Sequence, residues 1–90
     1  LVSGPTHLPV PAHPAIRTVR VTSGREMLAA CQAVAAECAV WVFAAAVADY
    51  RPAEVSPTKI KKSGDRLTLE LVKNVDVAAA LGATKRPDQF

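Results

Sequence analysis

The sequence predicts an α/β domain with a Rossmann-like parallel sheet and an added β-hairpin arm. Three patterns in the 90-residue chain indicate this class. The apolar run at 40–47 is typical of a strand buried on both faces, in the middle of a parallel sheet covered by helices. A capped helix precedes this run, and a strand of alternating character precedes the helix. Leucines that alternate with polar residues at 66–72 predict the arm.

The first half of the chain predicts a β-α-β unit. Four prolines at 5–15 exclude a helix or a central strand there. Residues 16–21 alternate apolar and polar side chains, which predicts a strand with one solvent-facing side. Ser23 and Glu26 match a capping box, so a helix should run from there to about Glu37. The buried face of this helix should carry Met27, Cys31, Val34 and Cys38.

The second half predicts the arm and a short helix. Residues 58–72 should form a β-hairpin with Gly64 in its turn. One face of the arm carries Leu67, Leu69 and Leu71. This face is too apolar for open solvent, which predicts a two-fold homodimer. Either Asn74 or Asp76 should cap an alanine-rich helix that ends near Gly82.

The composition fits part of one small domain. Apolar residues make up 50% of the chain and aromatic residues 4%, so alanine and valine would build a thin core. No apolar run approaches the roughly 20 residues that span a bilayer, so no membrane contact is expected. Both ends of the sequence look cut. We therefore interpret residues 1–90 as the central part of a single nucleotide-binding α/β domain, an internal fragment of it.

The two cysteines, Cys31 and Cys38, are predicted to be free thiols. On one helix they would lie about 10 Å apart along the axis, at roughly 1.5 Å per residue, which is too far for a disulfide. Unpaired buried thiols indicate a reducing compartment, so the cytoplasm is expected. No metal site is predicted, because His7 and His13 have no carboxylate or thiol nearby and no other ligand set has suitable spacing.

One segment carries the excess positive charge. The net charge of the chain is +3 at pH 7, and residues 59–73 hold five basic residues against two acidic ones. A local cationic patch favours an anionic small molecule as the partner. Nucleic acid is not expected, because no aromatic residues alternate with the cations for base stacking.

Three elements are predicted to converge on one ligand. Asp49 follows the apolar run, at the strand end where open α/β sheets bind ligands. Residues 59–62 are rich in lysine, and a helix opening at 74–77 would offer N–H groups that favour phosphate. Together they suit a polyphosphate nucleotide. In the alternative interpretation, Asp49 only caps a loop and pairs with Arg51, and the lysines only protect an edge strand.

Specific motifs make the chain similar to a known enzyme family. Ala-Ala-Val-Ala-Asp-Tyr-Arg-Pro at 45–52 is followed by Lys-Ile-Lys-Lys at 59–62 and by Leu-Val-Lys-Asn at 71–74. In this order the motifs resemble phosphopantothenate–cysteine ligase, the synthetase domain of the bacterial bifunctional coenzyme A biosynthesis flavoprotein. Residues 1–5 also match the end of the family's second strand, so the resemblance covers nearly the whole chain.

The resemblance implies a CTP-dependent ligase. The family uses CTP, with Mg²⁺, to activate the carboxylate of 4′-phosphopantothenate as an acyl-cytidylate, which cysteine then attacks to form an amide. FMN is implied only for a fused decarboxylase domain that these residues do not include. The asparagine that acts on the acyl-cytidylate is expected upstream. No catalytic residue is therefore assigned in this chain, and the 90 residues alone should be inactive.

The family's nucleotide site transfers to this sequence position by position. Asp49 would contact the cytidine part of CTP, and Ala45 and Ala46 would line its site. Lys59 would hold the triphosphate. The start of the second helix would supply further contacts from Val75, Asp76, Val77 and Ala78. The family usually has proline where this chain has Val75, a change that contacts from backbone N–H groups should survive.

Two alternative functions, from other classes of protein, remain open. A nicotinamide-dependent Rossmann reductase would share the β-α-β core, although it favours an acidic residue at the end of the second strand and residues 1–5 contain none. A non-catalytic dimerisation element would use the 58–72 arm only to pair protomers. Nucleotide binding by the intact domain would separate both from the ligase.

Overall fold

Parallel and antiparallel strand pairs and two helices make up the fold. The computed structural model describes residues 1–61 and 64–90. In chain order the elements are β1 (Val2–Ser3), β2 (Val19–Arg20), α1 (Gly24–Ala35), β3 (Tyr50–Pro52), β4 (Leu71–Lys73) and α2 (Val77–Gly82). Strands β1 and β2 pair in parallel, whereas β3 and β4 pair antiparallel. The predicted α/β class, with a parallel sheet and an antiparallel arm, is confirmed.

The capping box at the start of α1 is confirmed, with one change of partner. The Ser23 hydroxyl accepts a hydrogen bond from the Glu26 N–H at 3.2 Å. The Glu26 carboxylate reaches one residue further back than predicted and accepts from the N–H and the hydroxyl of Thr22, at 2.6 and 2.9 Å. Because these bonds stabilise the ionised form, they lower the pKa of Glu26.

We predict that Glu26→Gln lowers the thermal unfolding midpoint of the intact protein at neutral pH, and that the difference shrinks in acid. The pKa of Glu26 is lowered from its ordinary 4.5, so its stabilisation is present above that unfolded value and is lost as pH falls through the folded pKa. Scanning fluorimetry down to about pH 3 measures this difference. Glu37→Gln, beyond the other end of α1, is the control. A difference that stays constant with pH would contradict the prediction.

The core lies between the two helices. Its buried residues are Val21, Met27, Val77 and Leu81. Met27 confirms the predicted inner face of α1, and Asp76 is the residue that caps α2, its carboxylate accepting from the Ala79 N–H at 2.9 Å. Helix α1 ends at Ala35 rather than at Glu37, so Cys38 lies in the turn that follows.

A buried glutamine closes the carboxyl end of α1. Gln89 is 1% exposed, and its side-chain amide donates to the carbonyls of Ala35 and Cys38, each at 2.8 Å. Its side-chain oxygen accepts from the Arg86 N–H at 2.9 Å. The bond to Ala35 satisfies a carbonyl at the end of α1 that has no partner within the helix. The bonds of Gln89 fix the end of the described chain against α1.

The prediction of a buried strand at 40–47 is wrong for the structure as described. The segment is extended, but it belongs to no strand among residues 1–61 and 64–90, and Val42 is 85% exposed. Its start is fixed by the Trp41 N–H, which donates to the Phe90 carbonyl at 2.6 Å. Burial of a central strand requires a paired neighbour on each side and a helix layer on each face. The described residues supply neither neighbour.

The arm is antiparallel as predicted, but its strands are not those expected within 58–72. The pairing is between β3 and β4, with Tyr50 opposite Lys73, and it extends only to the Ala53 N–H and the Glu70 carbonyl. The described parts of 53–70 form no strand. Pro57 has no N–H to continue a ladder. Gly64 has φ +73°, a backbone conformation that favours glycine, but the described residues form no 58–72 hairpin for it to turn. Lys62 and Ser63 lie outside the described residues.

No helix formed by residues 1–61 and 64–90 is both long enough and apolar enough to cross a membrane.

Candidate functional site

A cavity of about 720 Å³ lies between α1, the extended segment at 40–49 and the start of α2. Most of its wall is apolar and includes Met27, Cys31 and Leu81, which also contact the core. One end is polar and carries Asp49, Asn74 and Asp76. We call this end the Asp49 site. The Asp49 site offers carboxylate and amide groups that can recognise a polar ligand, so we consider it the candidate functional site.

The structure brings most of the predicted nucleotide-binding residues to one cavity. The cavity wall includes Ala45, Asp49, Val75, Asp76, Val77 and Ala78. Ala46 is exposed on the same segment but does not line the cavity, and Lys59 lies in the exposed loop between β3 and β4. The roles of these residues in nucleotide binding stay predictions.

Backbone hydrogen bonds hold Asp49 at the cavity. Its carbonyl accepts from the Asn74 N–H at 2.7 Å, which continues the ladder between β3 and β4. Its side chain is exposed and accepts no hydrogen bond from residues 1–61 and 64–90. Arg51 does not pair with this carboxylate as the alternative interpretation expected, because its guanidinium donates to the Lys73 carbonyl and to the Asn74 side chain, at 2.7 and 3.2 Å. The Asp49 carboxylate is therefore oriented and available to a ligand.

The start of α2 offers fewer donors than the sequence predicted. Asp76 occupies the Ala79 N–H with its own carboxylate. The helix has six residues, so its dipole is weak at either end. A negative charge at the N-cap also opposes a phosphate there. The start of α2 is better suited to uncharged parts of a ligand, and phosphate would need the basic residues of the arm.

Lys73 and Arg51 at the Asp49 site were not predicted as site residues, and Asn74 was predicted only as part of the helix opening at 74–77. Lys73 lines the cavity beside Asn74, and Arg51 contacts both of them. The sequence feature that could have identified Lys73 and Asn74 as site residues was their position just after the alternating segment at 66–72. Nothing in the local sequence indicated the contact of Arg51, because its partners lie 22 and 23 residues away along the chain.

The thiols and acids of the site do not form a metal centre. Cys31 and Cys38 are free, as predicted, and burial raises the pKa of the Cys31 thiol. The thiol, and not the reactive thiolate, is therefore the favoured form. Among residues 1–61 and 64–90, no three His, Cys, Asp or Glu side chains are grouped so that they could hold a metal ion.

Comparison with known proteins assigns the chain to a family. Residues 1–90 match the family model of the DNA/pantothenate metabolism flavoprotein C-terminal domain. The chain belongs to this family. The resemblance that the motifs at 45–52, 59–62 and 71–74 indicated is thereby confirmed.

Two curated members and one solved structure show how much of the family the chain covers. The coenzyme A biosynthesis bifunctional protein CoaBC of Vibrio cholerae is 47% identical over 85 residues, covering 92% of this chain and 21% of that protein. CoaBC of Escherichia coli K12 is 47% identical over 88 residues, covering 94% of this chain and 21% of that protein. The crystal structure of the C-terminal domain of CoaBC matches with a TM-score of 0.76 and 37% identity, covering 99% of this chain and 38% of that one. The chain thus spans about a fifth of the length of the curated relatives.

Proposed function

We propose that this chain is part of a phosphopantothenate–cysteine ligase of coenzyme A biosynthesis and contributes part of its CTP site. The position of Asp49 carries the proposal. Its free carboxylate lies in one cavity with the start of α2, directly before β3 and within the family motif at 45–52. Membership of the flavoprotein C-terminal domain family supports the same function.

In the proposed reaction, the carboxylate of 4′-phosphopantothenate attacks the α-phosphorus of CTP and pyrophosphate leaves, which forms the acyl-cytidylate. The amine of cysteine then attacks the acyl carbon, and CMP leaves as the amide forms. The residues of this chain bind and orient CTP. The catalytic asparagine is not among them, so the 90 residues alone are expected to be inactive.

Each contact has a physical reason. The Asp49 carboxylate accepts hydrogen bonds only, so it suits donor groups of the cytidine part. The small side chain of Ala45 leaves room for a base in the cavity, and Ala46 precedes Asp49 on the same segment. Backbone groups of Val77 and Ala78 at the start of α2 contact the nucleotide. Lys59 supplies positive charge for the triphosphate.

The proposed cofactors and partners follow from the same assignment. Mg²⁺ is proposed to bind together with CTP, because substrate phosphates usually supply its ligands in nucleotide-dependent enzymes. There it would shield the phosphate charge. FMN belongs to a separate decarboxylase domain. We propose a cytoplasmic homodimer, which the two free thiols and the exposed leucines of the arm support.

We predict that the intact protein binds CTP about tenfold or more tightly than ATP or UTP, because a site built to hydrogen-bond one base leaves polar groups unpaired with another. Competition binding with all four nucleoside triphosphates measures this. Equal affinity for ATP would rule out the cytidine assignment. Absence of nucleotide binding would favour the dimerisation element, and tight binding of a nicotinamide dinucleotide would favour the reductase.

A further inference from the structure

Asn74, three residues before α2, makes three hydrogen bonds with the segment at 48–51. The backbone N–H of Asn74 donates to the Asp49 carbonyl at 2.7 Å, and its side-chain Nδ2 donates to the Ala48 carbonyl at 2.8 Å. Its Oδ1 accepts from Nη1 of Arg51 at 3.2 Å. We propose that Asn74, with Arg51, is a positioning residue that fixes Asp49 relative to α2 before the nucleotide binds. This inference rests on the proposed CTP site.

The two hydrogen bonds that Asn74 donates fix both the position and the rotation of the peptide between Ala48 and Asp49. They reach the carbonyls of two successive residues, Ala48 and Asp49. One bond alone would leave the peptide between these residues free to rotate. Two bonds from a single residue fix both its position and its rotation. The direction in which the Asp49 side chain leaves the backbone is therefore set by Asn74.

Arg51 sets the orientation of the Asn74 amide. An asparagine side chain can present either its oxygen or its nitrogen to a neighbour, and the hydrogen-bond network decides between them. Arg51 has donors only, so Oδ1 must face it, and Nδ2 then faces the Ala48 carbonyl. The same Nη1 also donates to the Lys73 carbonyl at 2.7 Å. Because arginine stays protonated, this orientation is kept at all physiological pH values.

Asn74 also connects Asp49 to the start of α2. Asn74 is two residues before Asp76, the N-cap of α2, and Asp49, Asn74 and Asp76 all line the cavity. A nucleotide that touches both Asp49 and the start of α2 therefore meets two groups already held in register. Ordering them at the moment of binding would reduce affinity, so preorganisation favours binding. Loss of Asn74 should weaken CTP binding more than the chemical step.

The test is steady-state kinetics of the intact protein. Asn74→Ala removes both side-chain bonds and is expected to raise KM for CTP about tenfold, with kcat and the other KM values changed by less than about threefold. Asn74→Gln keeps both the acceptor for Arg51 and the donor for Ala48 on a longer side chain and adds no charge, so its effect should be smaller. It also provides a second variant if the alanine protein does not fold. Thr84→Val is the matched control, because it removes a side-chain bond of 2.9 Å to the Leu81 carbonyl at the far end of α2.

A double-mutant cycle tests whether Arg51 acts through Asn74. Arg51→Ala should raise KM for CTP, Arg51→Lys should restore part of the loss, and the double variant should be no worse than the worse single variant.

Additive effects, an equal rise in every KM, or an unchanged KM for CTP in folded Asn74→Ala would each overturn the inference. If the wild-type protein binds no nucleoside triphosphate, the proposed function fails and the inference with it. If wild type and Asn74→Ala bind CTP equally, only the inference fails.

Discussion

Replacing Lys59 with alanine is expected to lower kcat/KM for CTP by an order of magnitude or more in the intact protein. A charge-assisted hydrogen bond to phosphate contributes roughly 1.5–3 kcal/mol, and about 1.4 kcal/mol corresponds to a factor of ten. Lysine is a mobile point charge that suits phosphoryl oxygens. Most of this contribution should be lost with the ammonium group, while the stability of the fold should change little because Lys59 is exposed.

The structure places Lys59 in the loop between β3 and β4, outside the wall of the cavity. Both strands that carry this loop begin or end at the Asp49 site, because Tyr50 and Lys73 line the cavity. The loop is thus connected to the Asp49 site through both strands, and we propose that the triphosphate extends towards it. The structure does not support the strand-based argument that Lys59 and Lys61 share a face, because the described residues at 59–61 form no strand. The greater importance of Lys59 rests on its place in the family motif.

Lys61→Ala is the matched control, since it removes the same charge two residues away in the same exposed loop. Its effect on kcat/KM for CTP should be several-fold smaller than that of Lys59→Ala. Lys62→Ala should also have the smaller effect, although Lys62 lies outside the described residues. The reverse order of the measured values would mean that another lysine contacts the phosphates.

The features that the sequence predicted well depend on neighbours close along the chain. The caps of both helices involve residues three apart, Ser23 with Glu26 and Asp76 with Ala79. The alternation at 16–21 predicted β2. Such interactions are decided by a few adjacent residues, so a local pattern is sufficient to identify them.

The apolar run at 40–47 shows where local pattern is insufficient. A run apolar on both faces indicates burial on both faces, but burial is supplied by other segments. This chain covers 38% of the CoaBC C-terminal domain structure that it matches. The apolar run predicts burial from the sequence alone, whereas the exposure of Val42 reports contacts with the described residues only.

In the candidate site, the position of Asp49 could be predicted from the sequence, whereas the contact between Arg51 and Asn74 could not. Asp49 was predicted from a general rule about strand ends, and the structure places it at the polar end of a cavity. Arg51 and Asn74 were not predicted to interact with each other. Their bond joins residues 23 apart and arises from the register of β3 with β4. Because no local spacing encodes that register, only the three-dimensional structure could reveal the contact.

We expect Leu69→Asp to convert the proposed homodimer of the intact protein to a monomer and to abolish most of its activity. Leu67, Leu69 and Leu71 alternate along the sequence, and Leu69 is 59% exposed. Leu67 and Leu69 lie outside any strand of the described residues, so their shared face stays a prediction from the alternation. An exposed apolar face of this kind would mark an interaction surface. A two-fold interface would bring each leucine face against the same face of a second copy. The substitution would then place two carboxylates in one apolar contact, which costs several kcal/mol unless they are neutralised.

Activity should fall with the dimer because the same loop carries Lys59. Between Pro52 and Leu71 the described residues form no ladder beyond Ala53 and Glu70, so the loop has little support from its own chain. Packing of two arms would order it and hold Lys59 near a nucleotide site, its own or that of the second copy. Separation of the protomers would remove this support from both loops at once.

Leu8→Asp provides the matched control for this experiment. Leu8 is 73% exposed in the proline-rich loop at 5–15, so the same change of residue is made outside the arm. Light scattering should give the mass of a monomer for Leu69→Asp and of a dimer for wild type and Leu8→Asp, with circular dichroism showing that all three are folded. An unchanged, active dimer for Leu69→Asp would refute the arrangement. A folded monomer that keeps full activity would separate assembly from catalysis and limit the arm to a structural role.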